Sequence, residues 1–312
     1  MSKVKMGVIG IGHLGVHHCR ILAGLPGVEL VGVCDVNEAQ ARKFARQYNT
    51  AAHTDYRDLL RQVEAVSIAV PTPLHYQVAK DFIGYGVHCL IEKPITPALE
   101  EAEELVRLAQ EKNLILQVGH VERFNPAVLE AQKYTKNPKF IEANRLGPYD
   151  PRVSHISVVL DLMIHDIDIV MYLVQDKIVS IDAVGAKVLS GFEDIANARI
   201  KFANGCVANI SASRVSLKKF RKIRIFQQDS YLSLDYAKPG LKVYQKKQPE
   251  VTSLKDIKVL YPRLAKMEPL GLELQHFVTC VSEGRTPQVT GEQGRDALQV
   301  ALEIMRKIRT DG

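Results

Sequence analysis

Short apolar runs alternate with amphipathic stretches over the first 120 residues of the chain. Apolar runs rich in Val and Ile predict strands, and stretches whose apolar positions recur every three or four residues predict helices. The predicted strands are 4–10, 28–35, 51–53, 65–70, 87–91 and 114–118. The predicted helices are 15–22, 38–48, 56–62, 74–85 and 96–112. This alternation is typical of a doubly wound parallel sheet, in which ligands bind beyond the carboxyl ends of the strands.

The pattern changes near residue 120, where strands begin to follow one another directly. The predicted helices of this part are 125–136, one within 158–174, 269–283 and 291–308. The predicted strands are 181–187, 195–202, 207–214, 222–228, 231–235 and 241–245. The segment 247–268 is polar and predicts no element. Strands separated by turn residues indicate an α+β domain with an open antiparallel sheet. We therefore predict an α/β fold with two domains, 1–120 and 121–312.

Composition narrows the class of protein. The 312 residues are 46% hydrophobic and 24% charged, and no apolar stretch approaches membrane-span length. The first strand begins too early to leave room for a secretory signal, and the five cysteines show no paired spacing. We therefore expect a cytoplasmic protein with unpaired thiols. The net charge of +6 suits an anionic small molecule and is too dispersed to predict nucleic-acid binding.

A glycine turn joins the first predicted strand to the first helix. Gly10, Gly12 and Gly15 have the G-x-G-x-x-G spacing, and Asp35 ends the second strand 20 residues later. This arrangement binds the pyrophosphate and the adenosine ribose of a dinucleotide. No Arg or Lys occurs in the next three residues to bind a 2′-phosphate, which favours NAD over NADP. The alternative is a βα turn without a dinucleotide. The residues assigned to the cofactor from this motif are Gly10, Gly12, His13, Leu14, Gly15 and Asp35.

Three further stretches carry candidate chemistry. Lys93 follows the strand 87–91 in the sequence Glu-Lys-Pro, at the end of the sheet where a nicotinamide would lie. Asp161 and His165 are four residues apart, so both side chains can share one helix face and enter one cleft. The third stretch, 120–126, is where the chain leaves the first predicted domain.

The helix that contains the Asp-x-x-x-His motif is almost continuously apolar around its polar residues. Its polar side chains therefore need partners, and Asp166 and Asp168 are predicted to bond backbone or to cap helices. The alternatives are a solvated helix face and, for His165, a satisfied core histidine. His17 and His18 of the first helix are interpreted as surface or packing residues. No closed set of metal ligands is present in the sequence.

Together these motifs resemble the Gfo/Idh/MocA family of oxidoreductases over essentially the whole chain. The motifs are the glycine turn, Glu-Lys-Pro at 92–94, Arg-Phe-Asn-Pro at 123–126 and Asp-x-x-x-His at 161–165. The resemblance implies a Rossmann domain, then an open sheet that carries substrate contacts and often an oligomer interface. It also implies NAD-dependent oxidation of a sugar or cyclitol hydroxyl. The residues that it implies for catalysis are Lys93, Asp161 and His165, and those for the cofactor pocket are Thr72, Pro73, His75, Glu92 and Lys93.

The chemistry of alcohol oxidation suggests a role for each of the three catalytic residues. A proton must leave the hydroxyl oxygen for a base that titrates near neutrality, and a histidine, His165, suits that role. Lys93 could stabilise the developing alkoxide or relay the proton. Asp161 would orient the imidazole or bind a substrate hydroxyl.

Within the family, the chain is most similar to members that oxidise C3 of UDP-N-acetylglucosamine to a 3-keto sugar in lipid A synthesis. The stretches concerned are 119–126, 161–168 and 213–216. A nucleotide sugar carries a pyrophosphate, which arginine binds in a bidentate manner. The residues assigned to the substrate are Lys93, Arg123, Asn125, Arg145, Asp161, His165 and Arg214. The basic residues of 218–222, which include Arg221, are instead predicted to be a solvated sheet edge.

Other functions fit the same motifs. One is another sugar or inositol dehydrogenase of the family, and another is an NAD-dependent glycosidase that removes the C3 hydride and returns it. A third is a regulator that senses the cofactor without chemistry, although the three catalytic residues argue against it. The open sheet leaves one face uncovered, so we expect a homodimer or homotetramer that binds a UDP-sugar.

Overall fold

The computed structural model describes residues 3–310, within which there are fourteen β-strands and eight α-helices. The chain divides into two compact units. The first unit runs up to Val121 and includes the segment Glu268–Leu298, while the second comprises Glu122–Met267 and the residues from Gln299 onwards. The sequence predicts a second domain that holds every residue after 120. In the structure, Glu268–Leu298 belongs to the first unit instead.

A six-stranded parallel sheet forms the centre of the first unit. Its strands are β1 (Val4–Ile9), β2 (Val28–Cys34), β3 (Ala51–His53), β4 (Ala65–Ile68), β5 (His88–Glu92) and β6 (Leu116–Gly119). The helices between them are α1 (Gly15–Gly24), α2 (Glu38–Tyr48), α3 (His75–Gly84) and α4 (Leu99–Glu111). The strand order is β3-β2-β1-β4-β5-β6, and every neighbouring pair is parallel. The predicted doubly wound sheet is therefore confirmed.

Burial on both faces explains why β4 and the second half of β1 are continuous apolar runs, whereas the edge strand β3 is largely exposed. All four residues of β4 are buried, and Val8 and Ile9 of β1 are at most 2% exposed. The strand order reverses direction between β1 and β4, which makes the crevice beyond their carboxyl ends the expected ligand site of the unit.

An eight-stranded sheet forms the centre of the second unit. Its strands are β7 (Phe140–Leu146), β8 (Ile178–Ala186), β9 (Ile195–Phe202), β10 (Val207–Ser213), β11 (Phe220–Phe226), β12 (Ser230–Asp235), β13 (Gly240–Lys246) and β14 (Ile257–Leu260). Their order is β14-β13-β12-β11-β7-β10-β9-β8. The pair β7–β10 is parallel and the other pairs are antiparallel. The predicted antiparallel sheet is thus confirmed apart from this pair.

Two strands of this sheet differ from what the sequence predicts. β7 is absent from the predicted strands because the face that buries Ile141 and Ala143 also buries Arg145, which disguises the apolar alternation. β11 lies between β12 and β7. The interpretation of residues 218–222 as a sheet edge is therefore wrong, because the strand that begins at Phe220 is an interior strand.

Helices cover one face of the second sheet. α5 (Pro126–Gln132) packs against β12 and β13. A π-helical turn, Val159–Met163, leads directly into α6 (Ile164–Val174), and both contact β10. The opposite face has no helix of the described part of this unit packed along β7 or β11, so the alternate residues of β7 remain half-exposed there.

Two helices end the chain, α7 (Pro269–Glu283) and α8 (Gly291–Thr310), as the sequence predicts. α7 packs on α1 in the first unit and buries Leu274 and Phe277 in a shared core with Leu22.

Other predicted elements are shorter or different in the structure. The helix predicted at 125–136 ends at Gln132, and the one predicted at 56–62 is a single 3-10 turn, Tyr56–Leu59. The segment 247–268 contains a 3-10 turn, Leu254–Asp256, and β14. No α-helix within residues 3–310 has both the length and the apolar character needed to cross a membrane.

Candidate active site

The glycine turn at the end of β1 has two tightly packed positions and one open position. Gly10 has φ +87°, and a Cβ there would lie 2.7 Å from the backbone nitrogen of Val70. A Cβ on Gly15 would lie 1.8 Å from the carbonyl oxygen of Gly10. A Cβ on Gly12 would meet no described atom within 4 Å. Gly10 and Gly15 therefore shape the turn, while Gly12 leaves space against the backbone that fits the pyrophosphate of a dinucleotide.

Asp35 connects the end of β2 to this turn. Its carboxylate accepts hydrogen bonds from the backbone N–H groups of Ile11 at 2.7 Å and Asn37 at 2.9 Å. Gln40 donates to the carbonyl of Ile11 at 3.0 Å, which ties α2 to the same loop. The carboxylate is half-exposed beside the glycine turn, as binding of the adenosine ribose requires.

A buried network lies behind Lys93. The ring of His18 is 0% exposed, and its Nδ1 lies 2.6 Å from Ser67 Oγ while its Nε2 lies 3.1 Å from Glu92 Oε1. The other oxygen of Glu92 accepts the backbone N–H of Lys93 at 3.2 Å. Burial alone would raise the pKa of Glu92, but the hydrogen bond and charge of His18 and the charge of Lys93 lower it below the ordinary value. The network holds the backbone of Lys93 at the carboxyl end of β5.

This network changes the interpretation of two residues. Glu92 directs its carboxylate inwards and is 8% exposed, so it positions Lys93 rather than lining an open cofactor pocket. The sequence does not predict the bonding role of His18. Gly15, His18 and Leu22 are spaced three and four residues apart, and this spacing could have indicated that His18 lies on the buried face of α1.

His75 braces two loops at the ends of neighbouring strands. Its ring is 1% exposed and lies 2.9 Å from the carbonyl oxygens of both Val70 and Pro94. Burial lowers the pKa of His75, while the two carbonyl contacts act in the opposite direction. The assignment of His75 as a cofactor contact is therefore corrected to a supporting role. Thr72 and Pro73, in the loop that it braces, are half-buried and exposed, respectively.

The Asp-x-x-x-His motif lies at the junction of the π-helical turn and α6. Ser157 begins this segment, since its Oγ accepts the N–H of Val159 at 3.2 Å and its carbonyl accepts the N–H of Asp161 at 3.1 Å. Asp161 and His165 are both half-buried, whereas the adjacent Met163 and Ile164 are fully buried. π-Helical turns occur often at functional sites. Both polar side chains thus remain partly accessible on a largely buried helix.

Buried ion pairs surround this helix. Arg145 donates to both oxygens of Asp166, at 2.7 and 3.1 Å, and to Glu122 at 2.9 Å. Arg123 donates to Asp168 at 2.8 Å, and its guanidinium lies 3.9 Å from the ring centroid of Tyr172. Asp166 and Asp168 therefore bind arginines, and the prediction that they bond backbone or cap helices is wrong.

These pairs correct part of the predicted substrate site. The side chains of Arg123 and Arg145 are only 2% exposed. Burial alone would lower the pKa of Arg145, but the charges of Asp166 and Glu122 outweigh it and raise the pKa above its ordinary value. Both guanidinium groups are bonded inside the second unit, so neither presents a fork to solvent for a phosphate.

Arg214 and Asn125 are also internal. Arg214 donates to Asp194 at 2.7 Å, to the carbonyls of Val153 and Ile156 at 2.7 and 2.8 Å, and to Ser190 at 2.9 Å. It therefore holds in place the segment that precedes the helix carrying Asp161 and His165. Asn125 caps α5 by accepting the N–H of Ala127 at 3.0 Å, and it is 3% exposed. Of the residues assigned to the substrate, Lys93, Asp161 and His165 keep half-exposed side chains.

Among residues 3–310 no group of three or more His, Cys, Asp or Glu side chains could hold a metal ion. All five cysteines are unpaired and buried.

Comparisons with known proteins agree with this architecture. Residues 4–120 match the profile of the "Oxidoreductase family, NAD-binding Rossmann fold", and residues 140–231 match the "GFO/IDH/MocA C-terminal domain". UDP-N-acetylglucosamine 3-dehydrogenase from Acidithiobacillus ferrooxidans is 37% identical over 97% of both chains. The chain therefore belongs to the Gfo/Idh/MocA family and is an NAD-binding oxidoreductase.

Solved structures and a second relative extend the comparison. A crystal form of the Acidithiobacillus ferrooxidans enzyme has a TM-score of 0.94 and covers 99% of both chains. The scyllo-inositol 2-dehydrogenase (NAD(+)) of Bacillus subtilis is 27% identical over 98% of this chain and 94% of its own. Scyllo-inositol dehydrogenase from Lactobacillus casei, solved with NAD(H) and scyllo-inositol, has a TM-score of 0.82 at 20% identity and so shares the fold.

Proposed function

We propose that the protein oxidises the C3 hydroxyl of UDP-N-acetylglucosamine to the 3-keto sugar. The observation that carries this proposal is the 37% identity, over 97% of both chains, to a relative named for that reaction. The half-buried Asp161 and His165 on the helix of the second unit support it, because oxidation of a secondary alcohol needs a base that a substrate can reach.

NAD fits the described residues of the first unit. The open space at Gly12 would receive the pyrophosphate, and the carboxylate of Asp35 would bind the adenosine ribose. Residues 36–38, which follow Asp35, are Val, Asn and Glu and offer no cation for a 2′-phosphate. When bound, NAD supplies the acceptor for the hydride that leaves the sugar carbon.

The chain's own residues manage the proton and the charge. His165 takes the hydroxyl proton, and Asp161 orients the imidazole or holds a neighbouring hydroxyl of the sugar. Lys93 stabilises negative charge on the reacting oxygen. The His18–Glu92 network supports this role, because it fixes the backbone from which the lysine side chain extends.

We further propose that the reaction takes place in the cytoplasm, in synthesis of the lipid A precursor, and that the protein acts as a homodimer or homotetramer. The open face of the second sheet supports assembly. It carries a row of neighbouring aromatic rings with centroids 4.9 to 5.6 Å apart, formed by Phe140, Phe226, Tyr231 and Tyr244. Light scattering on the purified protein tests the oligomeric state.

A screen for NADH formation tests the proposed reaction. The purified protein is incubated with NAD and with UDP-N-acetylglucosamine, other UDP-sugars, free sugars or inositols. We expect NADH from UDP-N-acetylglucosamine at a kcat/KM well above that of any free sugar. Turnover of inositols alone would identify a different dehydrogenase, which the 27% identity to the scyllo-inositol enzyme keeps as the second candidate. Sugar release without net NADH would indicate a glycosidase.

A further inference from the structure

Arg221 faces the same side of the second sheet as the catalytic helix. In the pairing of β11 with β7 it lies directly opposite Arg145, and directly opposite residues of an antiparallel pair share one face. Ile223 and Ile225, on the same face of β11, are fully buried. Arg221 itself is half-buried. The side chain therefore reaches from an interior strand towards the covered side, where the π-helical turn and α6 lie.

Arg221 differs from the other inward-facing arginines of this unit in its partners. Arg123, Arg145 and Arg214 each donate to a carboxylate within 2.8 Å. Within residues 3–310, the Arg221 guanidinium makes no hydrogen bond and no ion pair. The five N–H donors of this partly desolvated guanidinium are thus available to a ligand.

The electrostatic surroundings of Arg221 include the catalytic carboxylate. Burial and the neighbouring charge of Arg145 lower the pKa of Arg221, while the charges of Glu122, Asp166 and Asp161 act in the opposite direction. The influence of Asp161 indicates that the guanidinium lies near the candidate catalytic helix. A half-buried cation with unused donors beside a substrate-binding carboxylate is the arrangement expected of a ligand contact.

We propose that Arg221 binds the diphosphate of the nucleotide-sugar substrate. This inference rests on the proposed function and adds a residue that the sequence assigns to a solvated edge. A guanidinium fork matches two phosphate oxygens, and a lysine at the same position would not reproduce that geometry. Arg221 would thus bind the phosphate groups, which is the role that the sequence predicts for Arg123, Arg145 and Arg214.

A purely structural role for Arg221 makes a different prediction. Arg145 faces two carboxylates, Asp166 and Glu122, so Arg221 could serve as the second positive charge of that cluster. In that case its removal would destabilise the fold and impair every substrate equally. A phosphate contact instead weakens only those ligands that carry phosphate.

The test compares Arg221→Ala with the wild-type enzyme, with Arg224→Ala as the matched control. Arg224 is on the opposite face of the same strand, where it is exposed and pairs with Glu142 at 3.2 Å. We expect Arg221→Ala to raise the KM for UDP-N-acetylglucosamine by about 10- to 100-fold, the value of a charge-assisted hydrogen bond. The KM for NAD and the turnover of free N-acetylglucosamine stay unchanged. Arg224→Ala behaves as wild type.

Binding of UDP alone separates this proposal from the proposed reaction. Calorimetry should show that wild-type protein binds UDP and that Arg221→Ala binds it at least tenfold more weakly. If the wild type binds UDP more tightly than Arg221→Ala does but does not oxidise UDP-N-acetylglucosamine, the proposed reaction is wrong and the Arg221 contact stands. Lack of UDP binding by the wild type, or equal binding by both proteins, would overturn the contact.

A third variant covers the case in which Arg221→Ala does not fold. Arg221→Lys keeps the charge but loses the fork, so we expect it to fold and to bind UDP more weakly than wild type. A loss in Arg221→Lys that is shared equally by phosphate-bearing and free sugars would assign the residue to charge balance only.

Discussion

At the scale of single residues, the role of an arginine depends on the groups that its guanidinium contacts. Arg145 and Arg221 face each other across β7 and β11, yet Arg145 is bonded to Asp166 and Glu122 whereas Arg221 has no such bond within the described chain. A buried charge without a partner lowers the stability of the fold, whereas a partly exposed cation stays solvated and can bind a ligand. The same residue type on neighbouring strands can therefore serve the fold or the substrate.

Replacing Arg145 should destabilise the second unit strongly. Arg145→Met leaves two carboxylates, Asp166 and Glu122, without their buried partner, and we expect a loss of about 3–5 kcal/mol in the free energy of unfolding. Arg224→Met removes an exposed pair with Glu142 and should cost less than about 1 kcal/mol. Urea denaturation measures both. Equal stability of the two variants would contradict the assignment of Arg145 to the fold.

The proposed catalytic residues make a second prediction. Lys93→Ala and His165→Ala should each reduce kcat by roughly 10²–10⁴-fold, the usual contribution of a positioned proton or charge. The dissociation constant for NAD, measured by calorimetry, should stay near the wild-type value, because the glycine turn and Asp35 would still bind the pyrophosphate and the adenosine ribose. Loss of NAD affinity with full activity would reverse the assigned roles.

At the scale of elements, different glycines of the turn between β1 and α1 serve the conformation of the turn and the binding of the cofactor. A Cβ on Gly15 would lie 1.8 Å from the Gly10 oxygen, so Gly15→Ala should destabilise the first unit by about 1–3 kcal/mol. A Cβ on Gly12 meets no described atom within 4 Å. Gly12→Ala should therefore keep its thermal stability but bind NAD at least about tenfold more weakly. Unchanged NAD binding in Gly12→Ala would refute the cofactor site.

The His18 network joins α1, β4 and β5 and makes a prediction about pH. His18→Leu removes the bonds to Ser67 and Glu92, and we expect a loss of about 1–3 kcal/mol at neutral pH. The pKa of Glu92 is lowered from 4.5, so its ionised form stabilises the folded state above that pH and the contribution is lost as the pH falls through the lowered value.

The difference in unfolding free energy between wild type and His18→Leu should therefore shrink below about pH 4.5. Denaturant titrations over a pH series measure it. His17→Leu is the matched control, because His17 is the exposed neighbour of His18 on the same helix. A difference that does not change with pH would show that Glu92 is not the group involved.

Elements were predictable wherever the apolar pattern is undisturbed. The parallel strands of the first unit and the glycine turn follow from runs such as 4–10, in which every residue except Lys5 is buried. β7 could not be predicted because Arg145 occupies a buried position in its alternation. The partners of Asp166 and Asp168 were equally hidden, since the arginines that bind them lie more than twenty residues away in sequence.

At the scale of the whole molecule, the sequence places the domain boundary near residue 120, and the first segment of the first unit ends at Val121. The sequence does not reveal that a second segment, Glu268–Leu298, also belongs to this unit. Leu274 and Phe277 make α7 amphipathic, and such a face can pack on either sheet. The long-range contacts of α7 with α1 and β1 identify its unit. Assembly of two units from one chain thus depends on information that periodicity does not carry.

The central claim is that the chain removes hydride from C3 of a nucleotide sugar. The most direct measurement uses UDP-N-acetylglucosamine deuterated at C3, incubated with the wild-type protein and NAD, followed by mass spectrometry of the reduced cofactor. The account predicts that the deuterium is found on the NADH and that the sugar product is the 3-keto form. NADH that carries no deuterium, or no NADH at all with this substrate, would contradict it.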